Sequence, residues 1–288
     1  MARADFDLFD RLERFYDTLP RRWSRTEEIG SLVLFIREGE GWPYYARPRP
    51  GSPTPTAADL IETRRRQREL GVPEAFEWVH ENSPDLLAVA RSAGLEVLLA
   101  PLLTLDPAAL LPELPIPDAA IRPVDPTGPT FAADLAAARA VARLGFAAPA
   151  YASPMESALV IDVAGPTERD AATAPGIAGP DLEAARRQLT SGDYETLIAA
   201  SPEAGVLAAG TSQRAGDVAE IAGVATLPSA RRRGYASQLT ATLARRVLAR
   251  GAHLVFLSAG DDDVARLYTR VGFRRVGTAC IAEPAATL

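Results

Sequence analysis

The residues able to do chemistry concentrate between Asp217 and Phe273 of this 288-residue chain. The segment EIAGVATLPSARRRGYASQL sends a strand into Pro228 and then into a loop whose Arg231-x-x-Gly234-x-Ala236 opens a helix. Amide N–H groups exposed at a helix start, together with the positive end of the helix dipole, form a site for phosphate groups. Small residues such as Gly234 and Ala236 let the chain come close, and Arg231, Arg232 and Arg233 add charge-assisted donors. A di- or triphosphate ester suits such a loop. The same letters also describe a solvated helix start with Gly234 and Ala236 present for packing, and the short motif alone does not separate the two.

Two further residues stand out in this stretch. Tyr268 carries a hydroxyl that can deliver a proton when placed within hydrogen-bond reach, although Val264, Leu267, Tyr268 and Val271 also make an ordinary amphipathic stripe. Glu220 lies on the strand before the loop, and alternation points it to the face of Val224 and Thr226 unless a bulge intervenes. An exposed strand glutamate is the competing reading.

The whole unit resembles the GNAT superfamily of acetyltransferases. That family places Gln/Arg-x-x-Gly-x-Gly/Ala between its fourth strand and third helix, matched here by Arg231, Gly234 and Ala236 after Pro228. It then carries Asn-x-x-Ala-x-x-Leu-Tyr-x-x-x-Gly-Phe, matched by Asp262, Ala265, Leu267, Tyr268, Gly272 and Phe273. The resemblance is tight over 217–276 and loose over 119–288. It implies that the coenzyme A pyrophosphate lies on the loop from Arg231 to Ala236, Tyr235 included. It implies too that the pantetheine arm pairs with the backbone of Val224, Ala225 and Thr226, where the fourth and fifth strands splay apart. An N–H near Thr226 would then face the oxyanion. Tyr268 is implied as the acid that protonates the departing thiolate, and Glu220 as the base. Asp262 departs from the family asparagine: it can accept from the pantetheine amides but cannot donate to them, and N-capping by the run Asp261 to Asp263 is its other role.

Composition narrows the alternatives. The chain is 47% hydrophobic and 24% charged, which fits a globular protein with a sizeable core. One cysteine, Cys280, excludes an internal disulfide framework, and with His80 and His253 it is too little for an ordinary zinc site, so no metal is expected. All 31 basic residues are arginine, which removes Schiff-base lysine chemistry and the phosphate loop ending in Gly-Lys-Ser/Thr. Residues 1–118 hold 14 arginines against 20 acidic residues and the remainder is balanced, so nucleic acid is not expected as a partner. The N-terminus lacks a signal peptide's apolar core and Pro101 breaks the longest apolar run, so a soluble cytoplasmic protein without membrane contact is expected.

The elements that must position these residues read as mixed α/β. Helices are expected at 5–19, 57–70, 83–93, 131–144, 181–189, 236–247 and 261–271. Strands are expected at 31–37, 42–47, 75–80, 95–105, 121–124, 196–200, 205–211, 218–227, 253–258 and 273–282. Residues 145–180, rich in alanine, proline and glycine, are the least readable part. The proline-rich run 106–120 marks a joint near Pro117, giving domains 1–116 and 117–288. Residues 64–97 and 244–276 share one order of elements, anchored by Gly71 with Gly251 and Gly94 with Gly272, although helix–Gly–strand–helix is common in any α/β chain. The expected fold is therefore two GNAT-like domains, each a mixed, mainly antiparallel twisted sheet flanked by helices. The N-terminal copy is degenerate, since Ala90 stands where Tyr268 does, and Trp23, Trp42 and Trp78 read as core. His253 also reads as packing.

The expectation is an acetyl-CoA-dependent N-acetyltransferase acting on a primary amine of a small molecule or peptide. The acidic first domain and Glu220 favour a cationic acceptor. A non-catalytic acyl-CoA-binding sensor is the alternative. The chain is a monomer with pseudo-dimeric domains or a homodimer.

Overall fold

The computed structural model describes residues 3–37, 44–116, 118–148 and 164–285, with side chains from residue 7 onward at the N-terminus. The chain divides into two compact units: Met1–Leu103 with Ser258–Asp261 and Arg275–Leu288, and Thr104–Leu257 with Asp262–Arg274. Pro117, where the sequence places the joint, lies outside the described residues, as does Trp42.

In the first unit, α1 (Arg3–Thr18) buries Phe9, Leu12, Phe15 and Tyr16. The hairpin β1 (Ser24–Ile29) and β2 (Leu32–Arg37) follows, with β3 (Arg47–Pro48) on the far side of β2. Strand β1 escapes the sequence reading because SRTEEI has no apolar alternation, whereas LVLFI of β2 is buried throughout. Of the expected strand 42–47, residues 42 and 43 lie outside the described residues, and from 44 on the pairing consists of a bridge at Ala46 and the two residues of β3. Helix α2 (Ala57–Leu70) starts on a reciprocal capping box, Asp59 N–H to Thr56 Oγ1 at 3.2 Å and Thr56 N–H to Asp59 Oδ2 at 2.9 Å. Then come β4 (Phe76–Val79), α3 (Leu86–Ser92) and β5 (Leu95–Leu105), the last of which ends in the second unit. Trp78, Phe76, Leu34, Leu60 and Leu86 form the core with Cys280 and Ala282, which the C-terminal strand β11 (Phe273–Pro284) supplies by pairing antiparallel to β4.

In the second unit, β6 (Ala120–Pro123), β7 (Tyr194–Ser201), β8 (Gly205–Ala215) and β9 (Val218–Thr226) form an antiparallel meander in that spatial order, and β10 (Leu254–Ser258) joins β9 in parallel. Helix α4 (Phe131–Ala147) and helix α7 (Tyr235–Ala249) take opposite faces. A side chain at Gly145 of α4 would meet Ala225 and the backbone of Thr226, whereas one at Gly210 of β8 would meet Leu239 and Leu243 of α7. Helices α5 (Pro166–Thr173) and α6 (Gly179–Thr190) come before the meander and α8 (Asp262–Val271) follows β10, which makes eight helices among the described residues. Buried Glu195 on β7 ties α7 down, accepting from Arg246 Nε at 2.9 Å and Arg250 Nη2 at 2.8 Å. The order of elements in α2–β4–α3–β5 recurs in α7–β10–α8–β11. Among the described residues no helix is long and apolar enough to cross a membrane.

One irregularity decides where the β9 side chains point. Ala209 pairs with Ala225, but Thr211 pairs with Ala222, so β9 carries one residue more than β8 across this interval. The extra residue is accommodated at Gly223, whose φ of +63° only glycine adopts at no steric cost. The alternation expected from the sequence is therefore corrected: Glu220 shares its face with Ala222 and Ala225, and Val224 and Thr226 turn to the α7 side. A Cβ added at Gly223 would meet nothing within 4 Å. Gly223→Ala should therefore lower the unfolding free energy in urea by about 1 kcal/mol through backbone strain alone, with an unchanged denaturant slope; equal stability of the two proteins would contradict the bulge.

Candidate active site

Strands β9 and β10 pair only where Val218, Ala219 and Glu220 face Leu254, Val255 and Phe256. Beyond that rung β9 continues to Thr226, with no β10 residue paired to it among the described residues. This is the fork that the resemblance implies, and it leaves a strand edge whose amides and carbonyls need partners. Glu220 occupies the last paired rung, at the apex. It is 7% exposed and accepts a hydrogen bond from Gln213 Nε2, directly across the ladder on β8. Val224, Ala225 and Thr226 line the open stretch. Thr226 Oγ1 is buried without a hydrogen-bond partner, an orphaned polar atom beside that strand edge.

The loop after β9 turns tightly into α7. Pro228 to Ala230 make one 3₁₀ turn, Arg232 takes φ +67° and Gly234 takes φ +83° as the residue before α7. The first ladder bond of α7 runs from Gln238 N–H to Gly234 O at 3.1 Å, so the amides of Ala236 and Ser237 precede it. Space beside Gly234 is open: a Cβ there would meet nothing within 4 Å. Arg232 and Arg233 are exposed, whereas Tyr235 is buried and anchors the first turn.

Arg231 is placed differently from its two neighbours. Its Nη2 donates to the carbonyls of Gly145 at 2.7 Å and Ala148 at 2.9 Å, so its guanidinium closes the C-terminal end of α4. Partial burial pulls its pKa below the ordinary guanidinium value. The sequence reading missed this clamp, since nothing in the chain between residues 145 and 231 announces that they meet. It also missed the pairing of Gln213 with Glu220, which depends on strand register, although Gly223 in mid-strand was a legible signal for the bulge.

Tyr268 is buried on α8, with its ring edge-on to Phe273 at 6.2 Å between centroids. Burial pushes its phenol up to about 12, so the hydroxyl keeps its proton throughout the physiological range. Asp262 is exposed at the first turn of α8. Cys280 is buried in the first unit and burial pushes its thiol up to about 12, which makes it a poor nucleophile. His253 corrects an expectation: rather than packing, its side chain is 79% exposed, with Nδ1 3.9 Å from Asp217. It precedes β10 at a turn, where the strand's alternation has not begun. Trp78 is core as expected, and Trp23 is half-buried. Among the described residues no group of three or more His, Cys, Asp or Glu could hold a metal ion.

Comparison with known proteins agrees with this architecture. Residues 198–281 match the family model described as FR47-like protein. No curated protein matches the sequence. Among solved structures, a GCN5-related N-acetyltransferase from Kribbella flavida is 24% identical with a TM-score of 0.66, covering 97% of both chains. A GCN5-related N-acetyltransferase-like protein from Streptococcus suis is 14% identical with a TM-score of 0.51, covering 96% of this chain and 98% of that one. A tandem GNAT protein from the clavulanic acid biosynthesis pathway is 12% identical with a TM-score of 0.51, covering 90% of this chain and 80% of that one. The fold is that of the GCN5-related N-acetyltransferases, and its C-terminal region matches the FR47-like family within that group.

Proposed function

We propose that this protein is an acetyltransferase that uses acetyl-CoA and passes the acetyl group to a primary amine of a small molecule or peptide. The observation that carries this reading is the fork after Glu220 and Phe256, opening directly ahead of a helix-start anion loop. A bound acyl-CoA supplies the thioester carbon as electrophile and a thiolate as leaving group. The chain's own groups fit the remaining tasks. The loop from Arg231 to Ala236 offers amides to the pyrophosphate, with the exposed guanidinium groups of Arg232 and Arg233 beside it. The backbone of Val224 to Thr226 offers a strand edge to the pantetheine amides.

Glu220 is then the acceptor for the amine proton. Its carboxylate is buried at the apex of the fork, on the strand that leads into the loop. Tyr268 is the donor to the departing thiolate. Burial that keeps the phenol protonated also raises the proton affinity of a thiolate brought into the same surroundings, so the proton moves between groups shifted in the same direction. An aliphatic amine, cationic in water, is the acceptor class that a buried carboxylate favours.

Two outcomes test the reading. Tyr268→Phe should lower kcat about a hundredfold in a thiol-release assay with acetyl-CoA and an amine panel, while acetyl-CoA affinity by calorimetry stays within about twofold. Unchanged turnover would remove Tyr268 from the chemistry, and binding without turnover in the wild type would leave a sensor. The pH response follows from the raised phenol. In the unfolded chain tyrosine ionises near 10, so the stability contributed by burying the neutral form is complete below about pH 10 and is lost as pH climbs toward about 12. Chemical denaturation at pH 9, 10.5 and 11.5 should show that loss, reduced in Tyr268→Phe.

A further inference from the structure

We propose that Arg231 is a positioning residue: its guanidinium holds the end of α4 against the open stretch of β9, and its loss displaces that strand edge rather than removing a phosphate contact. The inference rests on the acetyl-transfer reading and adds a residue to it. Arg231 Nη2 donates to the carbonyl of Gly145 at 2.7 Å and to that of Ala148 at 2.9 Å. Carbonyls at a helix C-terminus have no partner further along the helix and carry the negative end of its dipole, so a cation there both caps and complements them. A neighbouring loop residue adds a second tie, because Ser229 N–H donates to Ala164 O, just ahead of α5, at 3.2 Å. The loop between β9 and α7 therefore holds the end of one helix and the start of the next.

What α4 touches gives this brace its consequence. Leu227 N–H bonds to Leu207 O of β8 at 2.9 Å, in register with the pairing of Ala208 and Thr226. Neighbouring residues of an antiparallel strand direct their main-chain groups to opposite edges, so Thr226 turns its N–H and C=O away from β8, to the side where β10 has parted. Gly145 lies beside that peptide: a Cβ added to it would stand 3.2 Å from Thr226 O, 3.5 Å from Thr226 N and 3.0 Å from the Cβ of Ala225. The carbonyl that Arg231 holds at 2.7 Å thus belongs to the residue that packs on the outward-facing amide of β9. Arg232 and Arg233, next in the chain, are exposed and present positive charge on the same loop.

The test compares acetyl-CoA with S-acetylpantetheine, which carries the same thioester and no phosphate. Arg231→Met, or Arg231→Gln should the first variant fold poorly, is expected to lower kcat about tenfold with both donors, because a displaced strand edge misplaces either one. Arg231→Lys should restore kcat to within about threefold of the unmodified protein, since one ammonium can donate to both carbonyls. The ionic-strength dependence of acetyl-CoA affinity, followed by calorimetry, should run parallel in Arg231→Met and the unmodified protein. A raised KM for acetyl-CoA at unchanged kcat, with a flatter salt dependence, would make Arg231 a phosphate ligand and overturn the role. Full activity in Arg231→Met, or a lysine variant no better than methionine, overturns it too. Failure of the underlying reading looks different: the unmodified protein would bind acetyl-CoA yet acetylate no amine from either donor.

Discussion

The parting of β9 from β10 after a short parallel ladder is the constraint from which the rest of the site follows. A strand edge inside a folded domain carries amides and carbonyls that demand partners, and a protein keeps such an edge open only where something else supplies them. The bulge at Gly223 belongs to the same device, because it twists β9 just where pairing on that side ends. Thr226 Oγ1, near the end of that open stretch, is buried without a hydrogen-bond partner.

What surrounds the fork is correspondingly rigid. Arg231 locks the loop to the end of α4 through two carbonyls, and the tight approach of Gly145 to Ala225 and Thr226 brings the same helix against the open strand. Glu195, Arg246 and Arg250 fix α7 to β7 on the opposite face. Both buried glutamates of this sheet have hydrogen-bond donors: Glu195 accepts from Arg246 and Arg250, and Glu220 accepts from Gln213. Burial keeps the phenol of Tyr268 neutral.

Much of the fold was legible because its signals are local. Ala57–Leu70 starts on the capping pair Thr56 and Asp59 and stops at Gly71, and its bounds follow directly from those residues. The meander from Tyr194 to Thr226 shows itself by apolar alternation between turns. Where the local signal is missing, the reading fails: β1 is a polar edge strand, and α5 lies in a segment rich in alanine, proline and glycine.

The sequence by itself determined the types and order of the candidate site residues: a strand, an arginine-rich helix start with Gly234, and Tyr268 before Gly272 and Phe273. It could do so because helix starts, turns and periodicities depend on neighbours a few residues apart. Only the tertiary structure decided that Gln213 meets Glu220, that Arg231 spends its guanidinium on α4, that Gly223 reverses the facing of Thr226, and that Ala279–Ala282 pair with Phe76–Val79. Each of these joins residues distant in the chain, or depends on strand register, which a single extra residue reverses; no local pattern encodes either.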